Sequence, residues 1–222
     1  TRKRSSAASD VYKRQFSDLE KIERFDRVTN SLSKSLLNNK YGIIGEHKRK
    51  SPSKSIINKN SSVKEVVIGY QNAGLGGVSI LTDKVYFGGS SKDLVVARKN
   101  TDLPILRKEF IIDEYQIFEA KALGADAILL IASCLEKKRI KNLSECAKKL
   151  GLEVLIEIHS LDELDDCLIE SIDIIGVNNR NLKTFKVNIQ TSKDLAKYIP
   201  KEFIKISESG ISNKKEILEL ID

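Results

Sequence analysis

Several signals that would assign a class at once are missing from these 222 residues. No apolar run reaches the ~18 residues a membrane helix needs, so no membrane association is expected. Basic residues near the N-terminus are followed by no apolar stretch, which argues against a secretory signal. Cysteine is scarce: Cys134, Cys146 and Cys167 are odd in number and lack CxxC spacing. They read as reduced thiols of a cytoplasmic protein. Histidine is scarcer still, and His47 and His159 lie far apart, in no metal-ligand spacing. Neither GxGxxG after a strand nor GxxxxGK[ST] occurs, so dinucleotide and nucleotide-phosphate readings lack their loops.

An even spread of positive charge is absent too. The chain is +7 in total, but residues 1–15, "TRKRSSAASDVYKRQ", hold five basic residues against one acid and carry +4 of it. The remaining 207 residues carry +3, with both signs mixed and no aromatic–basic stripe, so nucleic acid is not an expected partner. Residues 1–15 are Ser/Ala-rich without hydrophobic periodicity and read as a disordered or non-native arm. Residues 16–222 read as one folded domain.

What is present is a long strand–helix alternation. Phe16, Leu19, Ile22 and Phe25 recur at helical spacing. Strands are then expected at 42–48, 78–81, 104–110, 127–131, 154–158, 174–178 and 204–207. Helices are expected at 62–73, 91–100, 113–123, 136–150, 161–170, 191–198 and 213–221. Gly74, Gly124 and Gly151 stand at helix exits, where a left-handed residue is wanted. Alternation implies parallel pairing through right-handed crossovers. Runs such as "AILLIAS" and "DIIGVNN" suit strands buried on both faces. Seven strands fit either an open doubly wound sheet or a (β/α)8 barrel whose last strand and helix are missing from this chain.

In a buried parallel sheet, polar residues at the C-terminal strand ends carry the information. They cluster in "GEHKRKSPSKS" (Gly45–Ser55), "LRKEF" (Leu106–Phe110), "LIEIH" (Leu155–His159), "GVNNRN" (Gly176–Asn181) and "SESG" (Ser207–Gly210). Strand parity puts Glu46 and Lys48 on one face and His47 on the other. It likewise groups Lys108 with Phe110, Leu155 with Glu157, and Asn178 with Arg180. If these faces look into a barrel, lysines and glutamates from separate strands converge on one mouth. Buried charge is costly unless paired, so such a set points to a site.

These blocks, with "SILTDKVYFGGS" (Ser79–Ser90) and "ISESGIS" (Ile206–Ser212), resemble the successive motifs of the indole-3-glycerol-phosphate synthases from about Phe16 to Asp222. The resemblance implies a TIM barrel with an N-terminal helical segment over its mouth, and it makes residues 16–222 an incomplete TIM-barrel catalytic domain. It implies an enzyme of tryptophan biosynthesis, a carboxy-lyase that uses no cofactor. Such an enzyme converts 1-(2-carboxyphenylamino)-1-deoxyribulose 5-phosphate to indole-3-glycerol phosphate with loss of carbon dioxide and water. The partner implied is this phosphorylated small molecule, with other tryptophan-pathway enzymes as candidates.

Carried over by motif, Lys108 corresponds to the general acid that protonates the substrate carbonyl, and Glu157 to the base of the dehydration. Lys48 and Glu46 correspond to strand-one active-site residues. Asn178, Arg180 and Ser51 correspond to substrate contacts, and Phe110 to the aromatic wall beside the anthranilate ring. Ser209 and Gly210, with Glu208 beside them, correspond to the strand-seven side of the phosphate site. A second cation, Lys48, is expected to lower the pKa of Lys108 within a positive mouth. Backbone amides of "SGIS" are expected to offer an anion site at the following helix. The eighth-strand phosphate loop is not found, so half of that site is expected. Two other readings are another phosphate-binding barrel, such as phosphoribosylanthranilate isomerase, and a non-catalytic basic RNA-binding module.

Overall fold

A computed structural model describes residues 15–52, 54–58, 61–182 and 184–221. The expected arm at 1–15 therefore lies outside the described residues except for Gln15, which is helical with the residues that follow it (α1, described over 15–20).

Seven strands add to one sheet in sequence order, all parallel: β1 (Ile44–His47), β2 (Gly77–Leu81), β3 (Ile105–Lys108), β4 (Ala127–Ile131), β5 (Glu153–Ile158), β6 (Ile174–Asn178) and β7 (Ile204–Glu208). Helices α2 (Leu32–Asn38), α3 (Val63–Asn72), α4 (Ser91–Asn100), α5 (Glu114–Leu123), α6 (Lys137–Lys149), α7 (Leu161–Leu164), α8 (Gln190–Leu195) and α9 (Lys214–Ile221) precede and separate the strands. Among the described residues β1 and β7 do not pair with each other. Yet Lys108 on β3 reaches carboxylates on both. The sheet is therefore curled, forming an incomplete (β/α)8 barrel rather than an open doubly wound sheet.

Local chemistry sets the helix limits. Ser62 and Glu65 form a reciprocal capping box at α3, and Asp113 and Gln116 form another at α5, satisfying amides that the first turn leaves without partners. Helix α5 ends on Gly124 at φ 98°, in the left-handed region that favours glycine. The helix expected at 161–170 stops at Leu164, and strand three ends at Lys108 rather than Phe110.

Strand parity divides the apolar residues into two layers. Val78, Ile80, Ile105, Ile128, Leu130, Val154, Ile156 and Val177 face outward and pack against helix residues such as Ile117 and Leu143. Leu106, Leu129, Leu155 and Ile174 face inward and meet Leu32 and Leu36 of α2. Burying a leucine such as Leu32, which is fully enclosed, contributes about 1.5–3 kcal/mol. The resemblance places the N-terminal segment over the barrel mouth. The described part runs elsewhere: Phe16 and Phe25 pack on Phe118 of α5, and α2 closes the floor at the N-terminal strand ends.

Charge fixes that floor. The fully buried Asp126, just before β4, accepts from Arg27 Nη2 (2.6 Å), Arg98 Nη1 (2.7 Å) and the amides of Asn30 and Ile105 (2.8 Å each). Glu153, at the start of β5, accepts from Ser31 Oγ (2.5 Å) and the Ser33 amide (2.8 Å). Both carboxylates lie at the barrel end opposite the polar strand ends.

Candidate active site

At the C-terminal end of the barrel, residues of five strands bring their polar groups together. The centre is the Lys108 ammonium. Its Nζ lies 2.5 Å from Glu208 Oε2 on β7, 3.4 Å from Glu46 Oε2 on β1 and 3.9 Å from Glu157 Oε2 on β5. Lys48, one residue past β1, donates to the other oxygen of Glu46. Asn178, ending β6, donates through Nδ2 to Glu157 Oε1 (2.9 Å). Gly176 makes the crossing possible, because a Cβ there would fall on Glu208 Oε1.

The electrostatics differ from the expectation. Three carboxylates surround Lys108, and Lys48 is held by Glu46 instead of standing free beside it. Burial alone would lower the Lys108 pKa, but Glu208, Glu46 and Glu157 outweigh it and raise the value. The lowered lysine pKa anticipated from a neighbouring cation is thus reversed. Nor is the floor of the mouth positive, since three acids face two lysines. Glu46 is held below its ordinary value: burial opposes this, but Lys108 and Lys48 win. Glu157 is lowered as well, against burial, by His159, Lys108 and Asn178. Glu208 is pushed up, by burial first and then by the neighbouring Glu157 and Glu46, which together exceed what Lys108 offsets.

The other expected residues form a rim. Phe110 is half-exposed, its ring centroid 6.1 Å from that of Tyr86 and 6.3 Å from that of Phe87. Arg180 Nη1 donates to the Phe185 carbonyl (3.2 Å), and its backbone bridges to Val187. Ser51 exchanges backbone hydrogen bonds with Lys54 (2.8 and 3.0 Å) in the loop after β1; Ser53 lies outside the described residues. Ser209 and Gly210 both adopt positive φ, 68° and 81°. The Ser209 carbonyl accepts from buried Asn179, which also bonds Ser207 and Ser192, so the turn after β7 is braced from behind the barrel wall. Of the "SGIS" amides expected to offer an anion site, that of Ser212 is already taken: Glu216 Oε2 accepts from it (2.6 Å) and from the Asn213 amide (3.2 Å).

Outward-facing neighbours do structural work. His47 is buried on the helix side, as parity implies, and burial lowers its pKa. Arg107 ties β3 to α5 through Glu119 (2.5 Å) and the Gln116 carbonyl (2.9 Å). Arg49 grips Asp93 of α4 with both nitrogens (2.6 and 2.9 Å) and bonds the Gly88 carbonyl. The run that reads as a basic patch is thereby split, with Lys48 and Arg49 held in ion pairs on opposite sides of the strand.

Sequence reasoning missed His159 and Glu163. His159 Nε2 stands 3.3 Å from Glu157 Oε1, and Nδ1 stands 3.6 Å from Glu163 Oε2. The signal was present, since His159 follows Glu157 by two residues and shares its face. Among the described residues no group of three or more His, Cys, Asp or Glu side chains is arranged to hold a metal ion, and no helix is long and apolar enough to cross a membrane.

The fold resembles solved tryptophan synthase alpha-subunit structures from the hyperthermophile Pyrococcus furiosus. One superposes with a TM-score of 0.59 at 16% identity, covering 80% of this chain and 82% of that one. At that identity the likeness concerns the fold alone. Sequence says more. Indole-3-glycerol phosphate synthase from Bacteroides thetaiotaomicron is 47% identical over 193 residues, 87% of this chain and 74% of that protein. The enzyme of the same name from Caldanaerobacter subterraneus subsp. tengcongensis is 48% identical over 191 residues, 86% of this chain and 73% of that one. The family model described as indole-3-glycerol phosphate synthase matches residues 1–222. A curled parallel sheet, a lysine ringed by carboxylates at its C-terminal end and this degree of identity agree: the chain belongs to the indole-3-glycerol phosphate synthase family.

Proposed function

We propose that this site closes the indole ring of 1-(2-carboxyphenylamino)-1-deoxyribulose 5-phosphate with Lys108 as the acid and Glu157 as the later base. The observation that supports these roles most directly is the Lys108 ammonium inside the barrel, facing carboxylates from β1, β5 and β7. Its raised pKa keeps it charged throughout the neutral range. That suits an acid whose acceptor becomes basic only during reaction. As the ring carbon bearing the carboxylate attacks the C2 carbonyl carbon, the carbonyl oxygen develops alkoxide character. Preorganised N–H donors are most effective where such charge develops, and an alkoxide takes the proton readily even from a weakly acidic ammonium.

Cleavage of the carboxylate bond then releases carbon dioxide and returns an electron pair to the ring system. Dehydration completes the reaction. The new hydroxyl leaves as water after receiving a proton, and Glu157 takes a proton from the former C1. The lowered pKa of Glu157 keeps it ionised and ready to accept. Lys48, anchored by Glu46, contacts the substrate at the strand-one side of the mouth. Phe110 walls the anthranilate ring, and Asn178, Arg180 and Ser51 hold polar substituents. Ser209 and Gly210 contribute to the phosphate site, while Glu208 keeps Lys108 in place when the site is empty.

In this reading residues 16–222 act as one catalytic domain in the cytoplasm, and the phosphorylated substrate is the principal partner. The test is the formation of fluorescent indole product from this substrate by the complete natural protein. Lys108→Ala is expected to abolish turnover; full activity in that variant would overturn the assignment.

A further inference from the structure

The mechanism above leaves unused the partly buried imidazole of His159, beside the carboxylate assigned as base. It sits on the same inward face as Glu157, at the end of β5 where the chain turns into α7. Two carboxylates flank it: Glu157 Oε1 at 3.3 Å from Nε2 and Glu163 Oε2 at 3.6 Å from Nδ1. Glu163 also accepts the His159 amide (2.7 Å), so the α7 carboxylate is fixed by the backbone it faces. Neither ring nitrogen makes an aligned hydrogen bond. Two carboxylates so placed stabilise the charged form of the ring over the neutral one.

The other groups around Glu157 approach different positions. Lys108 of β3 faces Oε2, while Asn178 of β6 shares Oε1 with His159. Glu208 of β7 and Glu46 of β1 lie beyond Lys108 and bear on it. With a neutral imidazole, four acids counting Glu163 face two lysines where a substrate bearing a carboxylate and a phosphate must enter. A protonated imidazole removes part of that surplus, at the carboxylate assigned as base.

We propose that His159, held between Glu157 and Glu163, is a positioning residue whose positive charge keeps Glu157 ionised and lets the anionic substrate enter. This rests on the role of Glu157 proposed above. The local balance is consistent with it: burial disfavours charge on His159, but Glu157 and Glu163 together raise its pKa.

The chain holds only two histidines, which makes the test direct. Carbon- or nitrogen-detected NMR titration of the complete protein reports both imidazoles, and His47→Asn assigns them. His159 is expected to titrate above the ordinary 6.5, and to move down in Glu157→Gln and in Glu163→Gln, whose amide oxygen can still accept the backbone hydrogen bond. Titration at or below 6.5, or indifference to both variants, would overturn the proposal. The second readout is the pH profile. In His159→Asn the acid limb of kcat/KM should move to higher pH, because Glu157 loses its cation. KM should lose the rise that wild type shows as pH passes the His159 pKa. An unshifted profile in a folded His159→Asn protein would also overturn it. Failure of the Glu157 role looks different: Glu157→Gln would stay active whatever His159 does.

Discussion

Replacing Lys108 with methionine keeps the length of the side chain and removes the charge at the centre of the ionic cluster. Its removal leaves Glu208, Glu157 and Glu46 facing one another, with Lys48 beside Glu46 and His159 beside Glu157. Removing one partner of a buried ion pair typically costs about 3–5 kcal/mol. The Lys108 side chain keeps 22% exposure, which favours the lower end, about 3 kcal/mol. For a domain of this size each kcal/mol shifts Tm by roughly 2–4 °C, so a fall of about 6–12 °C is expected near pH 7. The pH dependence has a definite sign. Glu46 and Glu157 have lowered values, so their contribution is present above the unfolded carboxylate pKa of about 4.3 and lost as pH falls through the folded values. Lys108 has a raised value, so its contribution is present below its unfolded pKa of about 10.4 and lost only as pH rises through the folded one. The gap between wild type and Lys108→Met should be widest between about pH 5 and 10 and should narrow below about pH 4. Circular-dichroism melts at pH 7 and pH 4 measure it. A methionine variant as stable as wild type at both values would refute the idea that the carboxylates depend on this cation.

Other substitutions probe the remaining parts of the structure. Asp126→Ala strands Arg27 and Arg98 beneath the barrel and should cost about 3–5 kcal/mol, read from denaturant midpoints. Leu32→Ala opens a cavity in the inner layer and should cost about 2–5 kcal/mol in the same measurement. Gly176→Ala places a methyl group on Glu208 Oε1. Glu208 should turn aside from Lys108 and turnover should fall while circular dichroism stays native-like; undiminished turnover would show that Glu208 need not cross there.

Much of the fold could be read from the chain. All seven strands lie within a few residues of the apolar runs that announced them, and period two sorted Glu46, Lys108, Glu157 and Asn178 onto the interior face. What the pattern could not give was partnership across the barrel. Lys108 and Glu208 are 100 residues apart, and only the curl of the sheet sets them 2.5 Å from each other. The expectation of a lowered lysine pKa came from counting the cations of neighbouring motifs. The carboxylates arrive from strands that parity cannot order around a ring. Helix α2 went unread because its buried apolar residues, Leu32 and Leu36, span little more than one turn. Nor did the pattern show that Glu216 takes the Ser212 amide at its own helix start.

The two buried leucines of α2, Leu32 and Leu36, have a consequence for the chemistry above them. They insulate the charged layer from below, so the field of Lys108 spreads through hydrocarbon rather than water. Coulomb interactions weaken in proportion to the local dielectric. A leak in the floor would therefore dim the electric field at the reacting carbonyl without touching any residue that contacts substrate. Helix α2, remote from the mouth, sets the permittivity in which the lysine works.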